Sequence, residues 1–151
     1  MRYTVIFLLI SLFAVSCGKD KYTTNPQISF KSVKPNALRS DLPTNNQTLP
    51  VLTIGITDAE GDIGFINGKD TAFVYIKSLI NSSIDSFIMP DIQSLTGKNY
   101  EADLLIEPPF KRSSRPSPKV DTLYYEIYVK DFAKNKSNVI VTSDPVYYIV
   151  P

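Results

Sequence analysis

The chain has 151 residues, with 16 Lys and Arg against 15 Asp and Glu, a single cysteine, no histidine and no tryptophan. Without histidine there is no imidazole base, no histidine metal ligand and no Ser-His nucleophile, and a lone cysteine closes no disulfide within the chain. A near-neutral charge balance provides no long-range field to gather nucleic acid, so nucleic acid is not an expected partner.

At the N-terminus, Arg2 is the sole charge in residues 1–16, Val5 to Val15 are almost wholly apolar, and Ala14-Val15-Ser16-Cys17 follows. An apolar run of about eleven residues spans roughly 16 Å as a helix, about half of a ~30 Å hydrocarbon core, which suits a signal peptide better than a membrane span. The arrangement resembles a bacterial lipoprotein signal, with Ala14 to Cys17 similar to the lipobox and Ala14 standing where Leu is commonest. That resemblance implies a signal peptide over 1–16, cleavage before Cys17, a diacylglyceryl group on its sulfur and acylation of the new amino group; the alternative is a plain secretory signal that leaves Cys17 a free thiol. Each buried methylene contributes about 0.8 kcal/mol, so several acyl chains hold firmly where a single chain is marginal. Cys17 is then an attachment point and the membrane a partner. Loss of Arg2 with the signal takes Lys plus Arg from 16 to 15, equal to the 15 acidic residues, so the mature chain is formally neutral. Gly18 in place of Asp implies the outer membrane, and Lys19-Asp20-Lys21 lacks the acidic cluster of a surface-export signal. The expected location is therefore the cell envelope, on the outer membrane facing the periplasm.

Residues 17–26 read as the lipidated cysteine and a short polar tether, and residues 27–151 as a single domain. A chain of about 135 residues buries roughly two-thirds of its unfolded surface, enough for a core without disulfides. Within it the apolar residues recur with period two: Leu52, Ile54 and Ile56 alternate with Thr53, Gly55 and Thr57, and Leu123, Tyr125, Ile127 and Val129 alternate with Tyr124, Glu126, Tyr128 and Lys130. In chain order the strand candidates are Ile28 to Val33, Leu52 to Thr57, Thr71 to Leu79, Ile84 to Met89, Tyr100 to Ile106, Leu123 to Lys130, Asn138 to Thr142 and Val146 to Val150. One helical turn is expected at Asp91 to Leu95, after Pro90. Short strands without crossover helices predict an all-β fold, a single antiparallel β-sandwich.

Two segments carry a family resemblance. Ile56-Thr57-Asp58-Ala59-Glu60-Gly61-Asp62-Ile63-Gly64 resembles the acidic turn V-T-D-x-x-G-D of bacterial Ig-like and cadherin-like surface domains. Tyr128 to Asn138 resembles their late hairpin V-x-D-x-A-G-N-x-S, with Lys134 at the usual glycine. The chain as a whole resembles the small Ig-like lipoproteins of Bacteroidota, which implies an Ig-like sandwich and brings no activity with it.

The acidic turn has two readings. In one, Asp58 and Asp62 bond backbone amides in an Asx-type turn while Gly61 and Gly64 take positive φ. In the other, Asp58, Glu60 and Asp62 converge on Ca²⁺, which needs about six to eight oxygens, and Asp131 and Asn135 of the late hairpin complete the shell if both loops share one end of the sandwich. Tyr124 and Tyr128 fall on the outward parity of their strand, as ordinary cross-strand residues or as a contact face for a glycan or an envelope protein. Lys111, Arg112, Arg115 and Lys119 lie in a Pro/Ser-rich stretch, read as a solvated loop or as a contact with anionic lipid near the anchor. Asp70-Thr71-Ala72 and Asp121-Thr122-Leu123 resemble the O-glycosylation acceptors of Bacteroidota, at Thr71 and Thr122. No catalytic motif singles out a pair of carboxylates, so a hydrolase using acids alone ranks last and an enzyme is not expected. The expectation is a membrane-anchored, non-catalytic interaction or structural module. A glycan- or ligand-binding lipoprotein is the alternative.

Overall fold

A computed structural model describes residues 21–43, 45, 47–65, 71–90, 98–110 and 115–151. Residues 1–16, Cys17, Asp70, Asp91 to Leu95, Lys111 and Arg112 lie outside the described residues, and with them the signal peptide, the lipidation site and the helical turn. The described strands are β1 (Gln27–Lys34), β2 (Ala37–Arg39), β3 (Val51–Asp58), β4 (Phe73–Ser78), β5 (Ile84–Ile88), β6 (Tyr100–Ile106), β7 (Lys119–Leu123), β8 (Tyr125–Lys130), β9 (Ile140–Val141) and β10 (Val146–Val150). No helix among the described residues is long and apolar enough to cross a membrane.

The fold is all-β, as the alternation predicts. One layer has the order β1-β3-β6, and the other combines β5-β4-β8-β9 with β2-β10-β7. The predicted strand Leu123 to Lys130 is broken at Tyr124, where the chain passes from pairing with β10 to pairing with β4. Across that break Tyr125 N donates to Thr142 Oγ1 at 3.2 Å and Thr142 N donates to Tyr125 O at 3.0 Å, so the second layer stays continuous. A further strand, β2, has no counterpart among the predicted ones and pairs in parallel with β10, the exception to an otherwise antiparallel fold. Two layers that bury their inner faces against each other make a β-sandwich. Tyr125, at the start of β8, donates its hydroxyl to Pro109 O at 3.1 Å, tying the strand to the chain just after β6.

The core lies where period two places it. Leu52 and Ile54 from β3, Ile76 from β4, Leu123 from β7, and Tyr125, Ile127 and Val129 from β8 have no exposed surface. Asn138 closes one side of the sandwich. Its Oδ1 accepts from Ile28 N at 2.7 Å and its Nδ2 donates to Ile28 O at 2.8 Å, so a side chain takes the place of a neighbouring strand on the β1 edge.

Candidate metal centre at the acidic end

Strand parity alone drives two carboxylates into the end of the core. Asp58 follows Leu52, Ile54 and Ile56 on the inward face of β3, and Asp131 follows Tyr125, Ile127 and Val129 just past β8. Both have no exposed surface. Beyond Asp58 the chain turns through Gly61, whose φ of 70° favours glycine, and Gly61 N donates to Asp58 Oδ2 at 2.6 Å. Ile63 then re-enters the core at 1% exposure, which pins the loop. Phe132 N donates to Asp62 O at 3.0 Å, so the acidic turn and the late hairpin lie side by side at one end of the sandwich.

One oxygen from each of Asp58, Glu60 and Asp62 lies within 4.8 Å of the others. Oxygens around a single Ca²⁺ at about 2.3–2.6 Å can be no more than about 5 Å apart, whereas a magnesium shell is nearer 4 Å across. Asp58 Oδ1 and Asp62 Oδ1 are both buried and have no hydrogen-bond partner among the described residues. The electrostatics reflect this crowding. Burial pushes the Asp58 carboxyl up to about 6; the Gly61 amide opposes the rise, and the charge of Asp62, a hydrogen bond to Asp62 that Asp58 makes when protonated, and the charge of Glu60 add to it. Asp131 is also held above the usual carboxylate range, first by burial, against its bonds from Asn135, and further by Asp62 and Glu60.

The positive φ expected at Gly61 and Gly64 is present, at 70° and 124°. The Asx-type turn forms at Asp58, and among the described residues no backbone amide is bonded to the Asp62 carboxylate. Asp131 and Asn135 lie in the neighbouring loop. The two loops share one end, and there Asp131 Oδ1 accepts from Asn135 N at 2.7 Å and Oδ2 from Asn135 Nδ2 at 2.9 Å, so the pair closes a turn of its own. Lys134, in place of the glycine, takes the left-handed conformation itself, with φ 69°.

Tyr124 and Tyr128 do face away from the core, whereas Tyr125 is buried. The structure does not pair them. Tyr128 stacks on Tyr75 across the strands with ring centroids 4.7 Å apart and planes 9° from parallel, and Lys136 Nζ lies 4.1 Å from the Tyr128 centroid. With Tyr75 on one face and Lys136 on the other, the Tyr128 ring has no free face for a sugar. The partner that sequence reasoning missed is legible in the alternation of Phe73, Tyr75 and Lys77. Thr122 is exposed in mid-strand while Asp121 beside it is buried, and Thr71 is half-buried with its carbonyl accepting from Lys134 Nζ at 3.2 Å.

Arg115 and Lys119 are both committed to the buried Asp121. Arg115 Nη2 lies 3.1 Å from Asp121 Oδ1 and Lys119 Nζ lies 3.5 Å from Asp121 Oδ2. They also sit at the end opposite the acidic turn, because β7 and β8 run from Lys119 toward Asp131. Residues 21–23 lie at the acidic end: Thr57 Oγ1 donates to Lys21 O at 3.0 Å, Ala59 N donates to Thr23 O at 3.1 Å, and Lys21 pairs with Glu101. Arg115 and Lys119 therefore lie at the end away from residues 21–23, while Lys111 and Arg112 are outside the described residues. No protein-family model, no curated protein and no solved structure matches this chain.

Proposed function

We propose that this chain is a non-catalytic, membrane-anchored Ig-like module of the envelope, whose acidic end is stiffened by one calcium ion and which works by contact with another envelope component. The observation that carries the reading is the pair of buried oxygens, Asp58 Oδ1 and Asp62 Oδ1, that no donor satisfies. A buried carboxylate without a donor is costly unless a proton or a cation compensates it. Glu60, exposed beside the pair, gives a cation both an entry and a third ligand. Bound there, the ion would fix the β3 turn, and through the contact between Phe132 and Asp62 it would hold the late hairpin as well.

The anchor is supported by the lipobox-like Ala14 to Cys17 and by the short tether. The lack of a histidine base or a nucleophile motif favours a binding role over catalysis. The alternative glycan reading has less support because both faces of the Tyr128 ring are covered. Thermal melts in EDTA and then in millimolar calcium test the proposal. Calcium at a hundred times its dissociation constant adds about 2.7 kcal/mol, a rise on the order of 5 to 15 °C for a domain of this size. Asp62→Asn should abolish the rise. An unchanged melting temperature in the wild type would reject the metal centre.

A further inference from the structure

We propose that the acidic end faces the lipid surface, and that calcium held by Asp58, Glu60 and Asp62 completes its shell with phosphate oxygens of anionic headgroups. The proposal rests on the anchored, calcium-binding reading above and gives that site its partner. Its first support is where the chain enters the domain. Gln27 pairs with Thr57, so β1 begins at the end where β3 finishes. Lys21 and Thr23 are then bonded alongside Thr57 and Ala59, and Lys21 and Tyr22 both reach Glu101. Cys17 lies four residues before Lys21 in the sequence, and four extended residues reach at most about 14 Å. An acyl group on Cys17 therefore holds this end within that distance of the bilayer surface, and the end with Arg115 and Lys119 points away from it.

The second support is the shortage of protein ligands. Calcium takes about six to eight oxygens, and three side chains converge here because Asp131 is turned to Asn135. Glu60 is exposed, so the open side of the shell faces outward, toward the surface to which the tether leads. Asp58 is fully buried, and while its Oδ2 accepts from Gly61 N its Oδ1 lacks a donor, which leaves an oxygen aimed into the cluster for a cation. Without the ion, these carboxylates and an anionic surface repel each other. A surface potential of about −30 mV also enriches a divalent ion roughly tenfold, so the site is loaded where it is needed.

The test uses the full-length acylated protein in vesicles of phosphatidylcholine with or without phosphatidylglycerol, and a fluorophore on Ala133→Cys at the acidic end or on Gln47→Cys at the far end. Energy transfer to a headgroup-labelled lipid is the readout. The Ala133→Cys label should transfer more strongly than the Gln47→Cys label. Millimolar calcium should raise the Ala133→Cys signal with phosphatidylglycerol only, and Asp62→Asn should abolish that rise. Protein that fails to float with vesicles in EDTA overturns the anchor, and with it this proposal. Protein that floats without a calcium-dependent melt overturns the metal centre. Protein that floats and melts higher with calcium, yet shows equal transfer from both labels or no calcium response, overturns the lipid bridge alone.

Discussion

Replacing Asp58 with asparagine is expected to stabilise the cation-free protein at pH 8, the reverse of what removing a buried charged group usually does. In the wild type, Asp58 Oδ2 is satisfied by Gly61 N at 2.6 Å, while Oδ1 faces the acidic cluster with no donor. Burial and its acidic neighbours hold this carboxyl at about 6, against an ordinary 3.8. At about 1.4 kcal/mol per pH unit, the ionised form carries a penalty on the order of 3 kcal/mol in the folded state. Asp58→Asn removes the charge, keeps an acceptor for Gly61 and gives Asp62 a donor. Allowing about 1 kcal/mol for a weaker bond from Gly61, the net gain is about 2 kcal/mol, or roughly 5 to 10 °C in melting temperature.

The sign with pH follows from the same shift. The folded pKa lies above the unfolded one, so between about 4 and 6 the folded protein holds the extra proton, and wild-type stability rises as pH falls through that window. Asp131, shifted in the same direction, adds to this. The advantage of Asp58→Asn should therefore shrink toward zero at pH 5. Melts in EDTA at both pH values measure it. A variant that is less stable than wild type at pH 8, or equally favoured at both, would refute the reasoning. Millimolar calcium should reverse the order at pH 8, because the wild type alone keeps the full ligand set.

Other consequences lie in the scaffold. Asn138→Ala leaves the N–H and C=O of Ile28 without their partner and should cost about 2 kcal/mol in urea unfolding, with the m-value unchanged. Asp121→Ala removes the carboxylate shared by Arg115 and Lys119, whose ammonium lies in a side chain only 8% exposed. The loss should be about 3 kcal/mol or more, read from urea unfolding. Tyr75→Leu removes the stacked partner of Tyr128 and should cost about 1 kcal/mol beyond the area it buries. If the pair is a packing element, Tyr128→Ala should leave retention on polysaccharide resin unchanged.

The strands and their inward faces are legible in the sequence because period two is a property of consecutive residues. Leu52, Ile54 and Ile56, then Leu123, Tyr125, Ile127 and Val129, are buried as their alternation requires. The same parity carries Asp58 and Asp131 inward, and the close spacing of Asp58, Glu60 and Asp62 along the chain is enough to mark a convergent cluster. Local pattern does not extend to pairing. Strand β2 is three residues long and shows too little alternation to read, and it exists because β10 offers it an edge. The break at Tyr124 reflects a change of partner strand, and the stack of Tyr128 on Tyr75 depends on cross-strand register. Asp131 turns to Asn135 because hydrogen bonds four residues apart in a tight turn satisfy it first. The sequence by itself determined the alternating strands such as β3 and β8, their buried faces and the acids at their ends, all set by neighbours along the chain. Only the tertiary structure decided which oxygens lack donors, which aromatic faces are covered, and that residues 21–23 lie beside the acidic turn. Each of these is a contact between segments far apart in sequence, fixed by sheet register and packing.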